Sequence, residues 1–186
     1  LALGIASAEE FMEIELEERI SEIEFINTMN KDLPEDIKIL DAKYVDSKDC
    51  ITTFIQWSYY QIQFTVRNIL SLSLLETYIS KLLNKEELII EKEKRKGSKT
   101  IIKEENIRPL IGNITISKDK TMAISENIYQ VTINCLLKSG DKGNLKPLDL
   151  MKAISKYADM DIDFDTVEIK RLNMFSETDN KIEPLM

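Results

Sequence analysis

Tyr59-Tyr60-Gln61-Ile62-Gln63-Phe64-Thr65-Val66 is the stretch on which the reading of the fold turns. Tyr60, Ile62, Phe64 and Val66 are apolar at every second position, and Gln61, Gln63 and Thr65 fill the gaps. Period two marks a strand with one buried face. Downstream the period changes: Leu75, Tyr78, Ile79, Leu82 and Leu83 stripe a helix, with a capping box expected at Ser73 and Glu76 and Asn84 near the end. Leu88–Glu93 and Thr100–Glu104 read as partner strands, with the hairpin tip between Lys94 and Lys99. Pro109 makes Ile107–Ile111 a turning or extended segment rather than a central strand. Ile114–Ser117 reads as a short edge strand, and Ile128–Leu137 as the longest strand, with Tyr129, Val131, Ile133, Cys135 and Leu137 on one face. A turn at Gly140–Gly143 feeds a helix opened by Pro147, a favoured first helical position. Leu148, Met151, Ile154, Tyr157 and Ala158 stripe it. Phe164–Leu172 is the last strand, and the polar tail after Phe175 is expected to be loose.

Working back from Tyr59, residues 46–58 lack clean periodicity and read as a connector with one helical turn. Before it, Met12, Ile14 and Leu16 alternate with Glu13, Glu15 and Glu17, which predicts a strand. Ser21-Glu22-Ile23-Glu24 is a capping box, and the helix it starts carries Phe25, Ile26, Met29 and Leu33 until Pro34 stops it. A further strand is expected across Ile37–Val45. From Tyr59 the order is β-α-β, a hairpin insertion, then β-α-β, which matches the split βαββαβ, ferredoxin-like arrangement once the hairpin is set aside. The expected fold class is therefore α+β with two ferredoxin-like units, the first incomplete and the second carrying a β-hairpin insertion. Residues 1–46 would be the C-terminal half of the first unit, 47–58 the connector, 59–175 the second unit and 176–186 a polar tail. One mixed α+β domain without internal symmetry is the alternative. The chain opens without Met in the middle of an apolar run, which leads us to expect natural sequence upstream.

Composition closes off several chemistries. The chain has no histidine and two distant cysteines, Cys50 and Cys135. Ser-His and Cys-His nucleophiles, His-ligated zinc and a disulfide-stapled secreted scaffold are thereby set aside, and a reducing cytoplasm is the expected home. Residues 1–49 hold 14 acids and 5 bases, and the remainder 19 acids and 20 bases, so the net charge of −8 belongs to the front third. Such a balance argues against strong nonspecific nucleic-acid binding by net charge alone. No run approaches the roughly 20 apolar residues that a bilayer span requires.

Three segments carry a resemblance: Leu3-Gly4-Ile5-Ala6-Ser7-Ala8-Glu9-Glu10-Phe11-Met12-Glu13-Ile14-Glu15-Leu16, Ile107-Arg108-Pro109-Leu110-Ile111 and Gly143-Asn144-Leu145-Lys146-Pro147. The chain resembles the "radical SAM-linked protein" family through these segments. The resemblance implies a partner, a radical S-adenosylmethionine protein with a cobalamin-binding domain encoded beside or fused to family members, and involvement with RNA or translation. It also implies a basic N-terminal part with a His-containing motif that this sequence does not contain. Asn106 departs from the acid expected before the Ile-Arg-Pro run.

Five features are candidate sites. Glu13, Glu15, Glu17 and Glu18 invite a metal or acid–base reading, but nothing desolvates one of them, and a solvated face is the plainer account. Arg108 beside Pro109 is placed either to fork onto a phosphate or carboxylate, or to clamp backbone carbonyls or a nearby acid. Lys142, Asn144 and Lys146 sit in a Gly-rich turn ahead of a helix, where anions bind, although an ordinary β-to-α turn explains the glycines. It is not a phosphate-binding loop of the Gly-Lys-Ser/Thr type. Lys94, Arg95 and Lys96, within the basic run Lys92–Lys99, suit phosphate or an acidic partner, or simply solvent. Finally, Tyr59, Gln61, Gln63, Gln130, Thr132 and Asn134 would form one uncharged polar platform if their strands are neighbours, facing RNA, water or the front unit. Trp57 is expected to cover the connector.

These residues predict no catalytic centre, no metal and no cofactor. The leading expectation is a binding protein that works with a radical S-adenosylmethionine enzyme and presents RNA to it. The alternatives are the scaffold of a nucleic-acid-modifying or -cleaving enzyme whose catalytic segment lies upstream, and a structural oligomerisation domain.

Overall fold

A computed structural model describes the chain apart from residues 1–3, 46–49, 70, 97–98, 180 and 186; for residues 93–99 no side chain is described. The protein is mixed α+β, built mainly on sheet. It divides into two compact units, one of residues 11–51 and one of residues 1–10 with 52–186.

The larger unit holds a sheet of β1 (Ala6–Ser7), β2 (Trp57–Arg67), β5 (Ile111–Ile116), β6 (Met122–Ser125), β7 (Ile128–Lys138), β8 (Asp161–Thr178) and β9 (Lys181–Pro184). The path is β1-β8-β2-β7-β5, with β6 also on β7 and β9 on β8. β2 is antiparallel to both β7 and β8, whereas β1 joins β8 in parallel. Helix α3 (Leu72–Leu83) follows β2, and α4 (Pro147–Tyr157) lies between β7 and β8; a single turn, α2 (Ile51–Phe54), precedes β2. A separate two-stranded ribbon, β3 (Ile89–Lys96) with β4 (Lys99–Asn106), leaves the sheet after α3.

The alternation read in the sequence accounts for the packing. Tyr60, Ile62, Phe64 and Val66 of β2 join Val131, Ile133, Cys135 and Leu137 of β7 in one core. Leu75, Ile79 and Leu82 of α3 and Leu150, Met151 and Ile154 of α4 cover the same face. Each fully buried aliphatic or aromatic side chain contributes about 1.5–3 kcal/mol. The helices are consumed by that face, so the alternate residues of β2 and β7 point away from them. Tyr157 ties the ribbon to α4: its hydroxyl accepts from Ile89 N and donates to Ile89 O, both at 2.9 Å.

Several local expectations need correction. Helix α3 begins at Leu72, and its cap is Ser71, whose Oγ accepts from Leu74 N at 3.2 Å. Ser73 lies inside the helix, and Glu76 instead meets Lys118 at 2.6 Å. The tail is not loose: β8 runs to Thr178, and β9 folds back on it, pairing Phe175 with Pro184 and Glu177 with Ile182.

In the smaller unit, Ser21 caps α1 (Glu22–Asp32) through the Glu24 N–H, and Leu33 ends it just before Pro34. Asn30 holds the returning chain with both ends of its amide, accepting from Ile39 N at 2.7 Å and donating to Ile39 O at 3.0 Å. Tyr44 does the same to Ile20, and Arg19 lies 4.7 Å over its ring. The strands expected at Met12–Leu16 and Ile37–Val45 are absent. Alternation assigns side chains to faces, but a strand also needs a neighbour for its N–H and C=O groups, and neither segment pairs with one here.

Candidate functional site

The in-register pairing of β2 with β7 sets Tyr59 opposite Leu136, Gln61 opposite Asn134, Gln63 opposite Thr132 and Thr65 opposite Gln130. Residues expected to share a platform do lie on neighbouring strands. On the other flank, β8 brings Asn173 opposite Tyr59, Lys170 opposite Gln61, and Glu168 opposite Gln63. A bulge follows, where the Thr166 hydroxyl accepts the Thr65 N–H at 2.8 Å in place of a ladder partner.

A hydrogen-bond relay crosses this face. Lys120 Nζ donates to Gln61 Oε1 at 3.5 Å, Gln61 Nε2 to Asn134 Oδ1 at 3.2 Å, and Asn134 Nδ2 to Ser117 Oγ at 2.8 Å. Both amides thus have a fixed orientation. Thr132 is almost fully buried; its hydroxyl donates to Lys120 O, and its N–H is accepted by Thr121 Oγ1. Of the platform residues, then, Thr132 supports the surface from beneath.

Charge on the face is sparse and placed at its margins. Lys120, in a short 3-10 turn after β5, and Lys170 on β8 are exposed, and neither has an ion-pair partner among the described residues. Arg67 is tied to Asp163 at 2.8 Å. Glu168 is the exposed carboxylate beside Gln63.

One end of the same face carries a clasp. The Trp57 indole N–H donates to Glu177 Oε2 at 2.9 Å, and Lys138 Nζ contacts that oxygen while lying 4.3 Å from the Trp57 ring centroid. Hydrogen bonds from Lys138 and Trp57 hold the Glu177 carboxyl below its ordinary range. Trp57 therefore pins the β8 end, where the sequence had suggested a cover for the connector. At the sheet edge, burial pushes the Glu10 carboxyl upward, but the Arg171 guanidinium and the Ser7 hydrogen bond together lower it.

The other sequence candidates stand apart from this surface. Arg108 donates from Nε to Leu83 O at 3.0 Å and from Nη1 to Ile111 O at 3.1 Å, joining the end of α3 to the start of β5. Asn106 accepts from Leu88 N at 3.0 Å and Arg108 N at 3.1 Å, a task that a carboxylate acceptor at this position would also perform. Lys142, Asn144 and Lys146 are exposed on the loop before α4, whose first turn has no side-chain cap. Leu145 plugs that loop into the core, and Lys92 reaches Asn144 O at 3.4 Å while pairing with Glu105 at 3.1 Å. Lys94, Arg95 and Lys96 lie in β3, but their side chains are outside the described residues. Among the described residues no three carboxylates or thiolates gather as a metal-ligand set, and no helix is long and apolar enough to cross a membrane.

Sequence reasoning missed Lys120, Ser117, Lys170 and Glu168 as members of the face. The last two carry a signal, since they alternate with Ile169 on a strand; Lys120 sits in a turn and carries none.

A family model described as an uncharacterized protein conserved in bacteria (DUF2344) matches residues 1–147. The chain belongs to this family. The DUF2344 match includes β2 and β7, which bear the relay, and reaches the first residue of α4. Neither a curated protein nor a solved structure matches the chain.

Proposed function

We propose that this DUF2344 protein is a binding module that lays single-stranded RNA across the open face of β8, β2 and β7. The observation that carries the reading is the Gln61–Asn134 pair, oriented by its relay and flanked by Lys120 and Lys170, cations without an ion-pair partner among the described residues. An uncharged polar strip between two lysines suits a polyanion whose phosphates meet the margins and whose bases meet the amides. Tyr59 supplies the aromatic surface at one end of the strip. We read the larger unit as ferredoxin-like, supported by the antiparallel order β8-β2-β7-β5 with α3 and α4 on one side. The partner we propose is a radical S-adenosylmethionine enzyme that receives the RNA, and the likeness of the Leu3–Leu16, Ile107–Ile111 and Gly143–Pro147 segments supports it. Arg108, occupied by two carbonyls, has a structural role in this reading.

The test is photocrosslinking of a labelled dodecamer RNA to the full chain at low salt, with affinities for wild type and a Lys120→Ala/Lys170→Ala variant. Crosslinks should map to β2, β7 and β8, and the variant should bind every sequence more weakly. Its log–log salt slope should fall by about 1.4, at about 0.7 per lost phosphate contact on a single strand. RNA that crosslinks only elsewhere, or an unchanged slope, would overturn the proposal. Recovery of a radical S-adenosylmethionine protein with the tagged chain from bacterial cells tests the partner.

A further inference from the structure

We infer that the RNA face selects bases bearing an exocyclic amino group, adenine and cytosine over uracil, through Gln63, Gln130 and Glu168; this rests on the RNA reading above. Gln61 and Asn134 each have amide groups committed to the relay, so they offer a ligand little freedom of hydrogen bonding. One step along the strands the situation reverses. Gln63 and Gln130 are half-buried and make no side-chain hydrogen bond among the described residues. The register makes them diagonal neighbours, since Gln63 faces Thr132 and Gln130 faces Thr65. Their side chains therefore come within reach of one another and of one bound base, at about 7–8 Å or less between their positions.

A glutamine amide taken alone is permissive, because it can turn to present either a donor or an acceptor. Glu168 removes that freedom on one side. It stands opposite Gln63 on β8, exposed and without an ion-pair partner among the described residues. A carboxylate only accepts hydrogen bonds. The edge of a base set against it must bring N–H groups, as the exocyclic amines of adenine and cytosine do. Uracil has no exocyclic amine, and its one edge donor, N3–H, lies between O4 and O2, so any approach to the carboxylate also sets an acceptor against it. Asp163, opposite Thr65 on β8, is held by Arg67 and does not compete.

The charges also fix how the strand lies. Phosphates are drawn to Lys120 and Lys170, which flank Gln61, and are repelled by Glu168. Bases are thus directed toward the Gln63–Gln130 end while the backbone tracks the lysines.

The experiment is fluorescence anisotropy with labelled A8, C8 and U8 oligoribonucleotides on the full chain at low salt. It includes Glu168→Gln and Gln63→Ala/Gln130→Ala, each confirmed folded by circular dichroism. A8 and C8 should bind about tenfold more tightly than U8, the scale of one well-made base contact. Glu168→Gln should bring U8 within about twofold of the others, because glutamine can donate to O4. The double alanine variant should weaken A8 and C8 and leave U8 unchanged. Equal wild-type affinity for the three oligomers, or a preference that survives Glu168→Gln, overturns this inference and leaves the RNA face standing. Failure of all three to bind overturns both.

Discussion

Gln61 and Asn134 stand directly opposite one another on antiparallel neighbours, and the Gln61 amide donates to the Asn134 carbonyl at 3.2 Å. The bond is one link of a chain that starts at the Lys120 ammonium and ends at the Ser117 hydroxyl, so each amide is oriented by the next. A double-mutant cycle with Gln61→Ala and Asn134→Ala, read by urea denaturation, should give a coupling of about 0.5–1 kcal/mol. Zero coupling would mean that water serves each amide separately.

Arg108 should behave as a structural clamp. Removing its two bonds to Leu83 O and Ile111 O leaves half-buried carbonyls unserved. Arg108→Ala is expected to cost about 2–3 kcal/mol in urea, and Arg108→Lys to recover less than half, because an ammonium lacks the fork. RNA affinity of the folded variant should equal that of wild type.

The Trp57–Lys138–Glu177 clasp predicts an acid-labile end of the sheet. Glu177 is held below its ordinary value of 4.5 in the folded state, first by Lys138 and then by Trp57. Its contribution is therefore complete above about pH 4.5 and disappears as pH falls through the lower folded-state value. Trp57 is the one tryptophan of the chain, so its emission reports the clasp directly. Titration from pH 6 downward should show an emission change below pH 4.5 that Glu177→Gln abolishes.

Two glycines should differ sharply in tolerance. A methyl group at Gly140 would stand 2.3 Å from Ile55 O, and φ there is +92°. Gly140→Ala should cost about 2 kcal/mol or more in thermal or urea unfolding. At Gly112 the added methyl meets Leu136 Cδ2 and Trp57 Cζ3 at 3.1 Å without an unusual backbone angle. The leucine end can yield, so Gly112→Ala should cost about 1 kcal/mol or less.

Strands and helices that bury one face were legible. Tyr60 to Val66 and Tyr129 to Leu137 announced β2 and β7 through period two, and the polar residues between them were correctly assigned to neighbouring strands. Pro147 and Pro34 marked helix limits because proline fixes φ and donates no N–H. The segments at Met12–Leu16 and Ile37–Val45 misled for the opposite reason: they have the right alternation and no partner. β6 and β9 escaped notice, as they are four residues each and all eight residues are exposed, so neither buries a face. The Lys120 margin of the site was equally hidden, because a turn residue acquires its neighbours only from tertiary structure. Arg108 was legible as a cation that either forks onto an anion or clamps carbonyls, but the choice and the particular carbonyls were not, since its acceptors are backbone atoms that every sequence has.

The parallel pairing of Ala6 and Ser7 with Lys170 and Arg171 bears on the order of assembly. The Glu10–Arg171 pair that secures it spans 161 positions. On a ribosome those positions take roughly ten to thirty seconds to add. Throughout that interval β1 lacks its mate, and β2, once made, has at most β7 of its two. Arrival of β8 supplies both, so a late-made strand recruits the early-made segment and shuts the sheet in a single step.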